Sequence, residues 1–292
     1  MSKLNQQMQL PDGRMLGYDE HGPAGGKTLF YFHGSPSSRF EFDLYGNDEL
    51  LQRLNVHLVA VDRPGMGLSD FQPNRRILDW AKDILALADH LNIECFAILA
   101  YSLGGPYGMA CAYAIPQRLS SVGVVSGAAL FTEPKLWENV NEGTRRFLNM
   151  PRESPLASRL YLWVLRAMVR FAPNGFVAQA NSLLPAPDRE IVFTNPDFQK
   201  GFIRTVREAL RQGARGAYHE SLLTITDFGF RLQDIQMPPH FWHGEVDKNI
   251  PVEMARYMEA AIPNCQAKYY PNEGHLSLFK KNAEEIIHTL VN

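Results

Sequence analysis

A serine stands between small residues in Ala100-Tyr101-Ser102-Leu103-Gly104-Gly105. An apolar run, Cys95 to Leu99, precedes it, and a helix-like segment, Pro106 to Ile115, follows. That pattern predicts a strand, a very sharp turn and a helix. Such a turn pushes the serine out of the backbone, where its hydroxyl can act as a nucleophile. Small residues two before and two after it are needed because strand and helix nearly touch. The match to G-x-S-x-G is imperfect, because position 100 is Ala, which adds one methyl group. Serines beside glycines also sit in ordinary turns, so the hexapeptide alone does not decide the matter. A serine hydroxyl is a weak nucleophile. It needs a base of near-neutral pKa, and that base needs an orienting carboxylate.

The elements around it alternate in a way that would bring such groups together. Met8 to Gly22 reads as a hairpin turning at Pro11-Asp12-Gly13. Thr28 to Phe32 is an apolar strand ending at His33-Gly34, and Glu49 to Leu54 a short helix. Val56 to Val61 is a strand, and Leu78 to Leu91 has helical apolar spacing. Val122 to Ser126 is the strand after the serine helix. From about 132 to 231 the pattern becomes helical, interrupted by Pro185 and Pro187. Alternation resumes with a strand from Pro239 to His243, a helix from Val252 to Ala261, a strand from Ala267 to Tyr270 and a helix from Leu278 to Leu290. The reading is an α/β fold: a doubly wound, mostly parallel sheet covered on both faces. Residues 1–131 and 232–292 form the core, and 132–231 an inserted helical cap.

Ligands in such sheets sit at the carboxyl ends of the strands. After Ser102, two later strand ends offer the missing groups. Gly244-Glu245-Val246-Asp247 offers Asp247, with Glu245 as its competitor, and Glu273-Gly274-His275 offers His275. The order Ser, Asp, His suits this architecture. With His33-Gly34-Ser35-Pro36 and the loop Asp62-Arg63-Pro64-Gly65-Met66-Gly67-Leu68-Ser69-Asp70, five motifs stand in order at suitable strand ends. The chain thereby resembles α/β-hydrolase fold proteins with a helical cap, in the serine hydrolase or esterase-like branch. The resemblance implies Ser102 as nucleophile, His275 as general base and then acid, and Asp247 as its partner.

Acyl transfer places negative charge on the former carbonyl oxygen. Two preorganised backbone N–H groups stabilise it, at roughly 3 kcal/mol per donor. Leu103 N–H, just after the nucleophile, is one expected donor. The other falls on Ser35, because Pro36 has no N–H. His33 is expected to brace this loop and His243 to serve packing. The Asp62–Asp70 loop reads as a rigid scaffold. Tyr101 and Trp163 are the candidate pocket residues. The apolar side of Leu156 to Phe171, with Leu160, Trp163, Val164 and Met168, is expected to pack on the core or line the acyl pocket.

The cap region, 132–231, carries 14 basic and 10 acidic residues, and its arginines recur at helical spacing (Arg152, Arg159, Arg166, Arg170; Arg204, Arg207, Arg211, Arg215). A solvated arginine face is the first reading; an anionic substrate or a lid lying on lipid are the sharper ones.

The 292 residues are 45% hydrophobic and 21% charged, with a formal net charge of −2, so no general attraction to nucleic acid or membrane is implied. Three separated cysteines (Cys95, Cys111, Cys265) read as reduced thiols in a cytoplasmic protein. No secretory leader, membrane span, metal cluster or phosphate loop is legible, so no cofactor is expected and the partner is a small-molecule substrate. The expected reaction is hydrolysis of a small or medium, mostly apolar carboxylic ester through an acyl-enzyme. Amide, lactone, thioester or carbon–carbon hydrolysis and cofactor-free perhydrolysis share the same machinery. A non-catalytic ligand-binding receptor is the rival of another class.

Overall fold

Eight strands form one sheet in the computed structural model, which describes residues 2–129, 136, 138 and 140–292, except the side chain of Phe193. They are β1 (Lys3–Gln9), β2 (Met15–His21), β3 (Lys27–Phe32), β4 (Val56–Val61), β5 (Phe96–Tyr101), β6 (Leu119–Val125), β7 (His240–Gly244) and β8 (Gln266–Tyr270). The spatial order is β1-β2-β4-β3-β5-β6-β7-β8. β1 pairs with β2, and β2 with β4, in antiparallel fashion; the other pairs are parallel. Every residue of β4 and β5 is buried. Such strands cannot alternate polar with apolar, because helices cover both faces. Phe30, Ile98 and Val122 face helices α2 (Asp79–His90), α3 (Gly105–Ala114) and α10 (Val252–Ala261). Leu29, Leu58 and Leu99 face α1 (Asp48–Arg53) and α11 (His275–Val291).

The strand order reverses between β3 and β5. From β3 the chain steps one way to β4, and the next strand starts on the other side. Loops leaving β3 and β5 therefore splay apart and open a crevice at the strand ends. The His33-Gly34-Ser35 loop and Ser102 meet there.

Between β6 and β7 the described residues form six α-helices and no strand: α4 (Glu142–Glu153), α5 (Pro155–Phe171), α6 (Pro173–Ser182), α7 (Ala186–Thr194), α8 (Pro196–Ala209) and α9 (Arg215–Thr224). Prolines open α5, α6, α7 and α8 in the first or second position, where a missing N–H leaves no helical bond unmade. The expected boundary near 132 lies outside the described residues. Polar bonds, most of them buried, join these helices to the segments that follow β3 and β4. Glu220 on α9 takes Arg63 at 2.8 Å and also Arg75, Glu208 on α8 takes Arg39 at 2.8 Å, and the Thr205 hydroxyl lies 2.9 Å from those of Ser37 and Ser38.

The apolar side of α5 expected to pack on the core or line the pocket is largely exposed. The side of α5 bearing Leu160, Trp163 and Val164 is 48–66% exposed; the buried side carries Leu162 and Val169, with Leu165 and Met168 half-buried. Both sides of α5 are apolar at helical spacing, so periodicity alone cannot say which one packs.

Candidate active site

β5 runs up to Tyr101, two residues further than its apolar run suggests, so Ser102 follows the strand directly. Ser102 has φ = 54°, the left-handed region that non-glycine residues rarely occupy. The turn is tight enough that neighbouring size matters. A Cβ at Gly108, one turn into α3, would lie 2.9 Å from the Ala100 methyl. The extra methyl at position 100 is thus accommodated by a missing side chain on the facing helix.

Three side chains from three strand ends form a hydrogen-bonded chain. His275 Nδ1 donates to Asp247 Oδ2 at 2.7 Å, and Ser102 Oγ donates to His275 Nε2 at 3.0 Å. These directions follow from chemistry: the carboxylate is an acceptor, so Nδ1 carries the proton and Nε2 is free to accept. Asp247 is itself fixed. Its Oδ1 accepts the N–H groups of Asn249 (2.8 Å) and Ile250 (3.0 Å), which leaves Oδ2 for the imidazole. His243 steadies the same loop by donating from Nε2 to Ile250 O at 2.7 Å. The competitor Glu245 instead pairs with Arg256 at 2.8 Å. Burial disfavours the imidazolium of His275. The Asp247 carboxylate outweighs that, with Asp188 and Glu41 behind it, and holds His275 above its ordinary range.

The loop after β3 is braced from both sides. Arg63 N–H donates to His33 Nε2 at 3.2 Å, so the other ring nitrogen carries the proton and gives it to Gly34 O at 2.7 Å. Burial, then the charge of Arg63, push His33 well below the usual histidine range, so it stays neutral. The Arg63 guanidinium also donates to the carbonyls of His33 and Gly34. Glu41 Oε2 takes the Gly34 N–H at 2.7 Å and the Tyr31 hydroxyl at 2.8 Å.

Ser102, His275, Ser35, Leu103 and Tyr101 all border one cavity of 270 Å³. Its other walls come from the sheet loops and from α4, α5, α6 and α8, through residues such as Phe147, Leu165, Phe176 and Phe202. Together the parts offer a hydroxyl, a base aligned on it and an apolar chamber. Among the described residues, no group of three or more His, Cys, Asp or Glu is placed to hold a metal ion.

A sequence-family model described as "Alpha/beta hydrolase family" matches residues 29–289. The chain belongs to the alpha/beta hydrolase family. This family member is 28% identical over 265 residues to a 2-hydroxy-6-oxononadienedioate/2-hydroxy-6-oxononatrienedioate hydrolase of Cupriavidus pinatubonensis, covering 86% of this chain and 81% of that one. Its fold matches a hydrolase from Pseudomonas aeruginosa PA01 (TM-score 0.72, 20% identity, 99% and 98% of the two chains). It also matches an esterase from Exiguobacterium antarcticum (TM-score 0.69, 18% identity, the same coverage).

The hydrolase's two candidate pocket residues part company. Tyr101 borders the cavity and donates its hydroxyl to His275 O at 3.0 Å. Trp163 does not border it: its ring lies in an outer cleft beside Arg159 and Tyr218, with the Arg166 guanidinium 5.2 Å from the ring centre. One residue on a helix is about 100° of rotation, so Tyr161 and Leu165 face the chamber while Trp163 between them points away. Two buried carboxylates close to the site carry no sequence signal. Glu41 lies in an undistinguished stretch after Ser35-Pro36. Asp188 lies 87 residues from His275, and no local motif links them.

Proposed function

We propose that this alpha/beta hydrolase is a serine hydrolase of mostly apolar carboxylic esters, with the helices 142–224 acting as a cap over its chamber. The hydrogen-bonded chain Ser102–His275–Asp247 carries the reading. Ser102 Oγ attacks the ester carbonyl carbon as His275 Nε2 takes its proton. The imidazolium is stabilised by Asp247 and gives that proton to the leaving alcohol as the tetrahedral intermediate collapses to an acyl-enzyme. Water, deprotonated by His275, releases the acid and restores the serine. The N–H groups of Ser35 and Leu103 stabilise the oxyanion at roughly 3 kcal/mol each. Engagement of the Gly34 N–H by Glu41 supports Ser35 as the donor from that loop. No step needs a cofactor.

The chamber favours an uncharged acyl group. The Cupriavidus relative is named for a dioate substrate. No Lys or Arg is among the described residues lining this cavity, and its one acidic side chain there is Glu41. Burial raises the Glu41 carboxyl, against the lowering effect of the Gly34 N–H and the Ser37 and Tyr31 hydroxyls. A dicarboxylate gains no described ion pair there and meets a further carboxyl group.

A fluorophosphonate probe tests the reading directly. Covalent labelling of the folded protein, lost in Ser102→Ala, is the expected result. Absence of labelling on folded protein would sink the serine mechanism. A panel of p-nitrophenyl esters, with an amide and a lactone included, then separates esterase from neighbouring activities.

A further inference from the structure

The first turn of α11 is held by a residue from far away in the chain. A helix leaves its first N–H groups without intrahelical partners, and a local Ser, Thr, Asp or Asn ordinarily satisfies them. Here the residue before α11 is Gly274, which has no side chain. The Asp188 carboxylate of α7 takes that place. Its Oδ2 accepts from His275 N at 2.8 Å, and its Oδ1 from Leu276 N at 3.1 Å and Ser277 N at 2.8 Å. Asp188 is fully buried. Gly274 makes room for it, since a Cβ there would lie 2.6 Å from both carboxylate oxygens. The apolar periodicity of this helix starts only at Leu278, yet the helix reaches back to His275, with its first three N–H groups all on Asp188.

We propose that Asp188 is a positioning residue for catalysis: delivered by the cap helices, its carboxylate fixes the first turn of α11 and so aims the His275 imidazole at Ser102. The proposal rests on the serine-hydrolase reading above. His275 is the first residue of the helix, so the direction of its Cα–Cβ bond is set by the backbone that Asp188 holds. Displacements on the order of 1 Å at reacting atoms cost about a hundredfold in rate. The cap thus completes the catalytic apparatus as well as walling the chamber. The charge acts in the same sense. Negative groups face His275 from two elements besides α7: Asp247 after β7 and Glu41 after β3. The neutral groups facing it are Tyr101 at the end of β5 and His243 at the end of β7. Removing the Asp188 charge disfavours the imidazolium, so the acid limb of the pH–rate profile moves to lower pH.

The test compares Asp188→Asn, Asp188→Ala, Gly274→Ala and the double variant Asp188→Ala/Gly274→Ala with the wild type, on an ester substrate and on fluorophosphonate. Asp188→Asn is expected to lower kcat by about tenfold or more with KM nearly unchanged. It should also slow labelling of Ser102 and shift the acid limb downward. Gly274→Ala should reproduce the loss in kcat by expelling the carboxylate. The double variant should be no worse than Asp188→Ala, because the space is already vacated. Wild-type kcat and an unmoved acid limb in Asp188→Asn would overturn the proposal, as would additive losses in the double variant. A folded wild type that fails to label overturns the serine reading itself, and this proposal with it. Labelling of the wild type with an unaffected Asp188→Asn overturns this proposal alone.

Discussion

Asp188 and Glu220 are both fully buried carboxylates that the helices between β6 and β7 press into the rest of the molecule, and their partners differ in kind. Glu220 meets two guanidinium groups, Arg63 and Arg75, and the Tyr107 hydroxyl at 3.0 Å. Asp188 meets three backbone N–H groups at the start of α11. Burial raises both carboxyls. The arginines reverse this for Glu220 and hold it below the usual range, whereas Asp188 stays raised, with the Asp247 charge adding to the effect of burial. Charge against charge fastens two parts of a chain without specifying much direction. A carboxylate on successive N–H groups specifies direction, because those donors all point along one helix axis. The first contact therefore bears on stability and the second on aim.

The comparison can be broken at its strong end first. Glu220→Gln leaves Arg63 and Arg75 buried with their charges uncompensated, and is expected to cost about 3–5 kcal/mol in a urea titration. A loss below about 1 kcal/mol would mean that solvent or rearrangement relieves those charges and that the pair is no fastener. Asp247→Asn sharpens the other side. Asp247 is also held by backbone N–H groups, and it accepts the hydrogen bond from His275 Nδ1. Its amide is expected to lower turnover at least about a hundredfold by favouring the wrong imidazole tautomer, with folding stability far less affected. Normal turnover would show that another carboxylate serves His275. The smallest effect belongs to Trp163→Ala, which touches neither contact. Stability within about 0.5 kcal/mol of wild type and an unaltered kcat are expected. A large rise in KM would instead return Trp163 to the substrate path.

Much of the framework was legible because it is written locally. β4, the helix Val252–Ala261 and the hairpin turning at Pro11-Asp12-Gly13 each follow from adjacent residues, and the structure has all three. Ser102, Asp247 and His275 were legible because each sits just beyond a strand, and in a parallel sheet strand ends converge. Glu41 and Asp188 were not legible, since a lone acidic residue in a loop or helix gives no sign of what it will be folded against. The orientation of α5 failed for a different reason. Its two apolar sides satisfy the same periodicity, and only the neighbouring helices select between them.

The sequence by itself determined the order of strands and helices along the chain, the sharp turn at Ser102 and the presence of a hydroxyl, a carboxylate and an imidazole just beyond strands. Those features depend on side-chain period, turn chemistry and residue type over a few positions. Only the tertiary structure decided that Asp247 rather than Glu245 meets His275, that Trp163 faces outward, and that Asp188 supplies the cap that Gly274 lacks. Each of those outcomes depends on distances between segments far apart in the chain, which packing sets and local pattern does not encode.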